Sequence, residues 1–211
     1  MIRTEIENFL SRLNHINALV IGDLMLDEYL WGKAERISPE APVQVVDVTR
    51  EDLRLGGAGN VVNNLVALGC RVGVVSVLGE DGDGRLLRSL LAEQGIAVDG
   101  IFSDPGRVTS RKTRVLAGNQ QMLRIDRESK DPISGDLARR LLNHVRAVAD
   151  RFQVILVSDY LKGVLTDFLL RELIALGRER GIPVVIDPKV DDYADRKSTR
   201  LNSSHGKLSR M

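Results

Sequence analysis

Residues 55–69, Leu-Gly-Gly-Ala-Gly-Asn-Val-Val-Asn-Asn-Leu-Val-Ala-Leu-Gly, set a glycine-rich turn directly ahead of an apolar stretch with helical spacing. At Gly56, Gly57 and Gly59 the backbone carries no Cβ, so it can take positive φ and come close to a ligand. The first free N–H groups of the helix point at the same spot. Val61, Leu65 and Leu68 form a face suited to packing on a sheet, while Asn60 and Asn64, with Asn63 beside them, offer amides on another. The same pattern fits glycines that only permit tight helix-on-sheet packing beside solvated asparagines. No Gly-Lys-Ser/Thr follows, so a Walker P-loop is excluded.

Around this element the chain alternates short apolar runs with helical patterns. Thr4-Glu5-Ile6-Glu7 reads as a capping box opening a helix to about Leu13, followed by a buried strand at Ala18–Ile21. Further strands are expected at Val72–Leu78, Val98–Phe102, Val154–Val157 and Val184–Ile186, with helices near 133–149 and 165–180. Such an alternation predicts an α/β fold with a mainly parallel sheet flanked by helices. Three strand ends then deliver aspartates to one rim, Asp23, Asp159 and Asp187, where open α/β sheets place ligands. Asp23 could equally cap a turn or pair with a lysine.

Two segments fall outside the alternation. Tyr29 to Val48 is broken by Ser38-Pro39 and Ala41-Pro42 and predicts short strands beside the main sheet, with Tyr29 and Trp31 on one side of a strand. Arg107 to Asp126 predicts a second pair of strands in which Lys112 and Arg114 share a face about 7 Å apart, close enough to clasp one phosphate. After Gly118-Asn119 the chain returns with Arg124 and Asp126 on one face. A charged, solvated strand edge that blocks aggregation is the alternative.

Composition adds exclusions. Of the 211 residues 43% are hydrophobic, 28% charged and 4% aromatic, ordinary for a globular domain. No apolar run reaches the roughly 20 residues that cross a bilayer, and the first residues lack a signal peptide's apolar core, so a cytoplasmic protein with no membrane role is expected. Cys70 is the only cysteine and reads as a small core residue. His15, His144 and His205 are too scattered for a metal site. Residues 195–211 have no helical or strand period and resemble a translated sequencing adapter; a genuine basic tail is the alternative. Without them 25 basic residues face 28 acidic ones, a net charge of −3. No basic stripe with interleaved aromatics remains, so no nucleic-acid partner is expected.

Several strings together resemble one known family. They are Gly-Asp-Leu-Met-Leu-Asp (22–27), Arg-Ile-Ser-Pro-Glu-Ala-Pro-Val (36–43), Gly-Gly-Ala-Gly-Asn (56–60), Lys-Thr-Arg-Val-Leu (112–116), Asn-Gln-Gln-Met-Leu-Arg-Ile-Asp (119–126), Ser-Asp-Tyr-Leu-Lys-Gly (158–163) and Ile-Asp-Pro-Lys (186–189). The chain resembles the ribokinase-like (PfkB-type) carbohydrate kinases, and within them the kinase domain of the heptose 7-phosphate kinases, often fused to an adenylyltransferase. The resemblance implies a ribokinase-like fold of which residues 1–194 supply the N-terminal part. Residues 29–48 and 107–126 would form a β lid that joins a homodimer. It further implies transfer of the ATP γ-phosphoryl, with Mg2+, to the anomeric hydroxyl of D-glycero-D-manno-heptose 7-phosphate, on the route to ADP-heptose and the lipopolysaccharide core.

By the same resemblance Asp23 and Asn60 hold sugar hydroxyls, with Gly56 and Gly57 allowing close approach. Lys112 and Arg114, assisted by Arg124, anchor the substrate phosphate; Asp159 stands at the rim, and Lys162 and Lys189 lie on the phosphate side. No residue is expected to bind metal. The family's catalytic aspartate sits in a Gly-Ala-Gly-Asp motif, absent from these 211 residues together with the Asn-x-x-Glu motif. The chain alone is therefore expected not to turn over and to be poorly soluble. Another PfkB-type sugar kinase and a non-catalytic sugar-phosphate binding module are the alternatives. A dinucleotide-dependent oxidoreductase fits least, because the glycine spacing differs.

Overall fold

The computed structural model describes residues 2–188. In chain order the elements are α1 (Ile2–Leu13), β1 (Asn17–Gly22), β2 (Leu24–Ile37), β3 (Gln44–Gly57), α2 (Ala58–Ala67), β4 (Arg71–Gly79), α3 (Gly82–Glu93), β5 (Ile101–Asp104), β6 (Ser110–Ala117), β7 (Gln120–Arg127), α4 (Gly135–Val148), β8 (Val154–Asp159), α5 (Asp167–Arg180) and β9 (Val184–Pro188). The strands form two sheets. One runs β5-β4-β1-β8-β9 and the other β3-β2-β6-β7.

Every pairing in the first sheet is parallel, as the alternation of strands and helices requires. Successive side chains of a strand point to opposite faces, and β1 shows the consequence. Leu19 and Ile21 pack with Val75, Ile155 and Val157 against α4 and α5, through Leu141, Val145, Leu169 and Leu173. Val20 faces the other way, with Val74 and Leu78, against Val62 of α2 and Leu87 and Leu91 of α3. Helix starts are fixed by side chains: Ser134, Thr166 and Asp81 accept the N–H of Leu137, Leu169 and Gly84.

Three local expectations are corrected. The segment after Asp23 is two 14-residue strands, β2 and β3, and not a set of short ones. Pro39 and Pro42 are confined to the bend between them, where their missing N–H groups cost no ladder bond. Gly56 and Gly57 are not a free turn; they end β3, paired with Met25 and Leu24, and α2 begins at Ala58. On α2 Ala58 and Val62 are fully buried and Val61 and Leu65 pack on the core in part, while Leu68 is the C-cap and 44% exposed.

The second sheet mixes directions: β3 and β7 run antiparallel to their neighbours, whereas β2 and β6 pair in parallel. It stands on the first sheet through an ion-paired base. Arg111 of β6 bonds the Glu28 carboxylate of β2 and lies 2.8 Å from Asp83 at the start of α3. Burial works against the Glu28 charge, but bonds from Arg111 and Thr113 outweigh it and hold its pKa below the ordinary value.

Candidate functional site

Alternation along β2 puts Met25, Asp27 and Tyr29 on one side, and that side faces a cavity of about 600 Å³. The cavity lies between the inner face of the second sheet, the start of α2 and the loop that follows β8. It therefore sits at the C-terminal edge of the parallel strands, the place sheet topology reserves for ligands. Asn60 comes from the first turn of α2, Lys112 and Arg114 from β6, Arg124 and Asp126 from β7, and Tyr160 and Lys162 from the loop. Six lining side chains are cationic, Arg54, Lys112, Arg114, Arg124, Lys130 and Lys162, against three carboxylates, Asp27, Asp126 and Glu128. The excess of positive charge suits an anion.

Those charges are arranged in two sets. Toward the main sheet, Glu128 bridges Lys162 at 2.7 Å and Lys112 at 3.2 Å, and Asp126 meets Lys112 at 2.9 Å. Burial opposes the Glu128 charge, yet bonds from Lys162 and Lys112 outweigh it and lower its pKa to about 2. The Lys112 bond likewise lowers the pKa of Asp126. Toward the second sheet, Arg114 lies 2.6 Å from Asp27 and 5.1 Å from the centre of the Tyr29 ring. Tyr29 stacks on Trp31, ring centres 6.3 Å apart, and Arg54 and Arg50 cover the two rings. The aromatic pair thus stands on the cavity side of the sheet.

Two aspartates of the rim lie below the cavity. Asp23 is 1% exposed and accepts N–H bonds from Tyr160, Lys162 and Val164 at 2.8, 3.1 and 3.2 Å. Burial raises its pKa, and the nearby Asp159 adds to the rise, against the lowering by those three bonds. Asp159 is also buried and accepts the Leu161 N–H. Gly57 has φ +57°, which favours glycine, and a Cβ there would stand 2.3 Å from the Asp23 carbonyl oxygen. At Gly56 an added Cβ would stand 2.2 Å from an Asp27 oxygen.

A model of the pfkB family carbohydrate kinases matches residues 16–205. The chain belongs to this family. It is 65% identical over 201 residues to the bifunctional protein HldE of Syntrophotalea carbinolica, covering 95% of the chain and 41% of that protein. With HldE of Geobacter sulfurreducens the identity is 66% over 194 residues, 92% of the chain and 40% of the relative. The chain thus spans about two-fifths of the length of these curated relatives. Among solved structures, a carbohydrate kinase from Agrobacterium tumefaciens superposes with a TM-score of 0.60 at 23% identity, over 81% of this chain and 53% of that one. Arabidopsis thaliana ribokinase complexed with ribose and ATP gives 0.57 at 18%, over 82% and 54%. These likenesses show the ribokinase-like α/β fold.

Within the pfkB fold the expected residues separate by depth. Gly57, Asn60, Lys112, Arg114, Arg124 and Lys162 line one cavity. Gly56 lies behind it against Asp27, and Asp23 and Asp159 are buried beneath the rim. Lys189 and the segment 195–211 lie outside the described residues. Sequence reasoning passed over Asp27, Arg54 and Glu128. The signal for Asp27 was its two-residue spacing from Met25 and Tyr29, which only a strand assignment starting at Leu24 reveals. Glu128 follows Asp126 by two, one position beyond the end of β7.

Proposed function

We propose that this chain carries the sugar-phosphate-binding part of a kinase that phosphorylates the anomeric hydroxyl of D-glycero-D-manno-heptose 7-phosphate using ATP. The observation that carries the reading is the cavity under the second sheet, with six cations against three carboxylates. A neutral sugar needs hydroxyl partners and no such excess, whereas a sugar already bearing a phosphate needs cations away from the reacting hydroxyl. Asp27 and Asn60 supply hydroxyl partners at one end, and Lys112, Lys162 and Arg124 supply the anion's partners. The similarity to HldE, and the strings at 36–43 and 119–126, favour a heptose phosphate over a hexose.

In that role the residues of this chain bind and orient the acceptor, and the second sheet limits access of water, which competes as an acceptor. ATP and Mg2+ enter through the family, supplying the transferred phosphoryl and neutralising its charge. The cationic lining fits an anionic ligand, but among the described residues no group of three or more acidic, histidine or cysteine side chains is placed to hold a metal ion. The Gly-Ala-Gly-Asp base does not occur in the 211 residues, so the chain alone is expected to bind the sugar phosphate without turning it over. A non-catalytic binding module would show the same binding, and another PfkB-type kinase would prefer a hexose.

Calorimetric titration of the chain tests the reading. Heptose 7-phosphate should bind at least tenfold more tightly than unphosphorylated heptose and hexose 6-phosphates, and Lys112→Met should abolish that preference. Equal affinity for heptose with and without the phosphate would overturn it. A homodimer through the second sheet and a cytoplasmic location belong to the same proposal.

A further inference from the structure

The loop between β8 and α5 carries Lys162 into the cavity by an unusual backbone path. Leu161, directly before the lysine, has φ +56°, the one non-glycine residue with positive φ among those described. A leucine held there is strained by roughly 1 kcal/mol or more and persists only where its surroundings over-determine it. Its own side chain supplies nothing of that kind, being 45% exposed. Asp159 accepts the Leu161 N–H at 2.9 Å, and the rest of the constraint comes from two charged residues distant in sequence. From beneath, Asp23 takes the N–H groups of Tyr160, Lys162 and Val164 on its two oxygens. From the side, Arg107, 9% exposed, donates to the Lys162 carbonyl at 2.6 Å and to the Asp131 carbonyl at 2.6 Å. Ile133 completes the frame by donating its N–H to the Gly163 carbonyl at 2.9 Å.

Lys162 is thus held at both its main-chain N–H and its carbonyl, by opposite charges from two parts of the fold. Its ammonium points at Glu128, in the cationic lining. Asp23 also accepts the first helical N–H of α2, that of Ala58, on its carbonyl at 2.9 Å. One residue therefore joins the sheet rim, the start of the helix that carries Asn60, and the loop that carries Lys162. We propose that Asp23 and Arg107 are positioning residues which clamp the 160–164 loop and so fix Lys162 for the ligand's anionic group, without themselves touching the ligand. The functional half of this rests on the cavity being the sugar-phosphate site.

The test uses the full chain, with inorganic phosphate as the probe and amide hydrogen exchange as the second readout. Asp23→Asn offers one acceptor oxygen where two served three donors, and Arg107→Lys keeps the charge but cannot fork to two carbonyls. Either variant should raise exchange at Tyr160, Lys162 and Val164 at least tenfold and weaken phosphate binding about as much as Lys162→Met does. Should Asp23→Asn not fold, Arg107→Lys decides. In a Lys162→Met background neither substitution should cost phosphate affinity further, a non-additivity that a merely structural role would not give. Unchanged exchange at the three amides would overturn the clamp and leave the cavity reading standing. Additive losses would overturn the action through Lys162. A Lys162→Met variant that binds phosphate like the parent would overturn the cavity reading instead, and the functional half of the proposal with it.

Discussion

Gly56 shows how one absent atom shapes the site. It pairs with Met25 at the end of β3, and the space a Cβ would fill is taken by the Asp27 carboxylate, 2.2 Å from the ideal Cβ position. A Gly56→Ala substitution therefore pushes Asp27 off Arg114. The expected outcome is a loss of about 1–3 kcal/mol in stability from overpacking, with a tenfold or greater loss of sugar-phosphate affinity, read by urea denaturation and calorimetry. Unchanged affinity would remove Asp27 from the site. Glu128 gives a pH signature. Its folded pKa of about 2 lies below the ordinary 4.5, so its ion pairs stabilise the fold above pH 4.5 and that stability is lost as pH falls toward 2. The contribution is at most about 3 kcal/mol. Glu128→Gln should flatten stability against pH across this window; an unchanged slope would contradict the pairing. Lys112, Arg114 and Arg124 were legible from the sequence because a two-residue period places them without knowledge of neighbours. Burial of Asp23 was not, since it depends on a loop 137 positions away.

At the scale of elements, the second sheet is fixed to the first by apolar packing, through Leu24, Leu26 and Leu55, and by an ion-paired base. Arg111 joins β6 to Glu28 of β2 and to Asp83 of α3, while Glu28 is itself 6% exposed. Arg111→Met leaves that carboxylate buried without its cation and is expected to cost about 3 kcal/mol, the lower end for a broken buried pair, because Thr113 remains bonded to it. Adding Glu28→Leu should recover the part of the loss owed to Glu28, while Asp83, which also loses Arg111, keeps the remainder. Failure of the second change to recover stability would show that the pair acts through something other than charge compensation. The helices and parallel strands could be read from periodicity, but not from caps: Thr4, read as opening the first helix, lies inside α1, which begins at Ile2. The length of β2 and β3 could not be read, because Asp27, Glu28, Lys33, Glu35 and Arg36 break the apolar alternation that marks a strand. Those charges are accommodated because one end of the hairpin faces a polar cavity and the other lies at the surface.

At the scale of the molecule, the second sheet has two faces of opposite character. The inner face carries the charged cavity; the outer one carries apolar side chains that the described chain leaves in solvent. Register sets Leu53, Glu28, Thr113 and Ile125 in one row across the four strands, and Leu30, Val115 and Leu123 in the next. Leu53, Leu123 and Ile125 are 40%, 55% and 52% exposed, neighbours on the face of the sheet opposite the cavity. Large apolar side chains clustered in this way mark an association surface, and the proposed homodimer would bury them. Replacing Leu123 and Ile125 together with lysine places two like charges where the two copies would meet. The parent should sediment as a dimer at micromolar concentration and the double variant as a monomer, with its unfolding free energy otherwise within about 0.5 kcal/mol of a surface change. A parent that stays monomeric throughout that range would remove the dimer from the proposal. The cavity would then have to be closed by this one chain, with the cations of β6 and β7 facing a ligand unassisted.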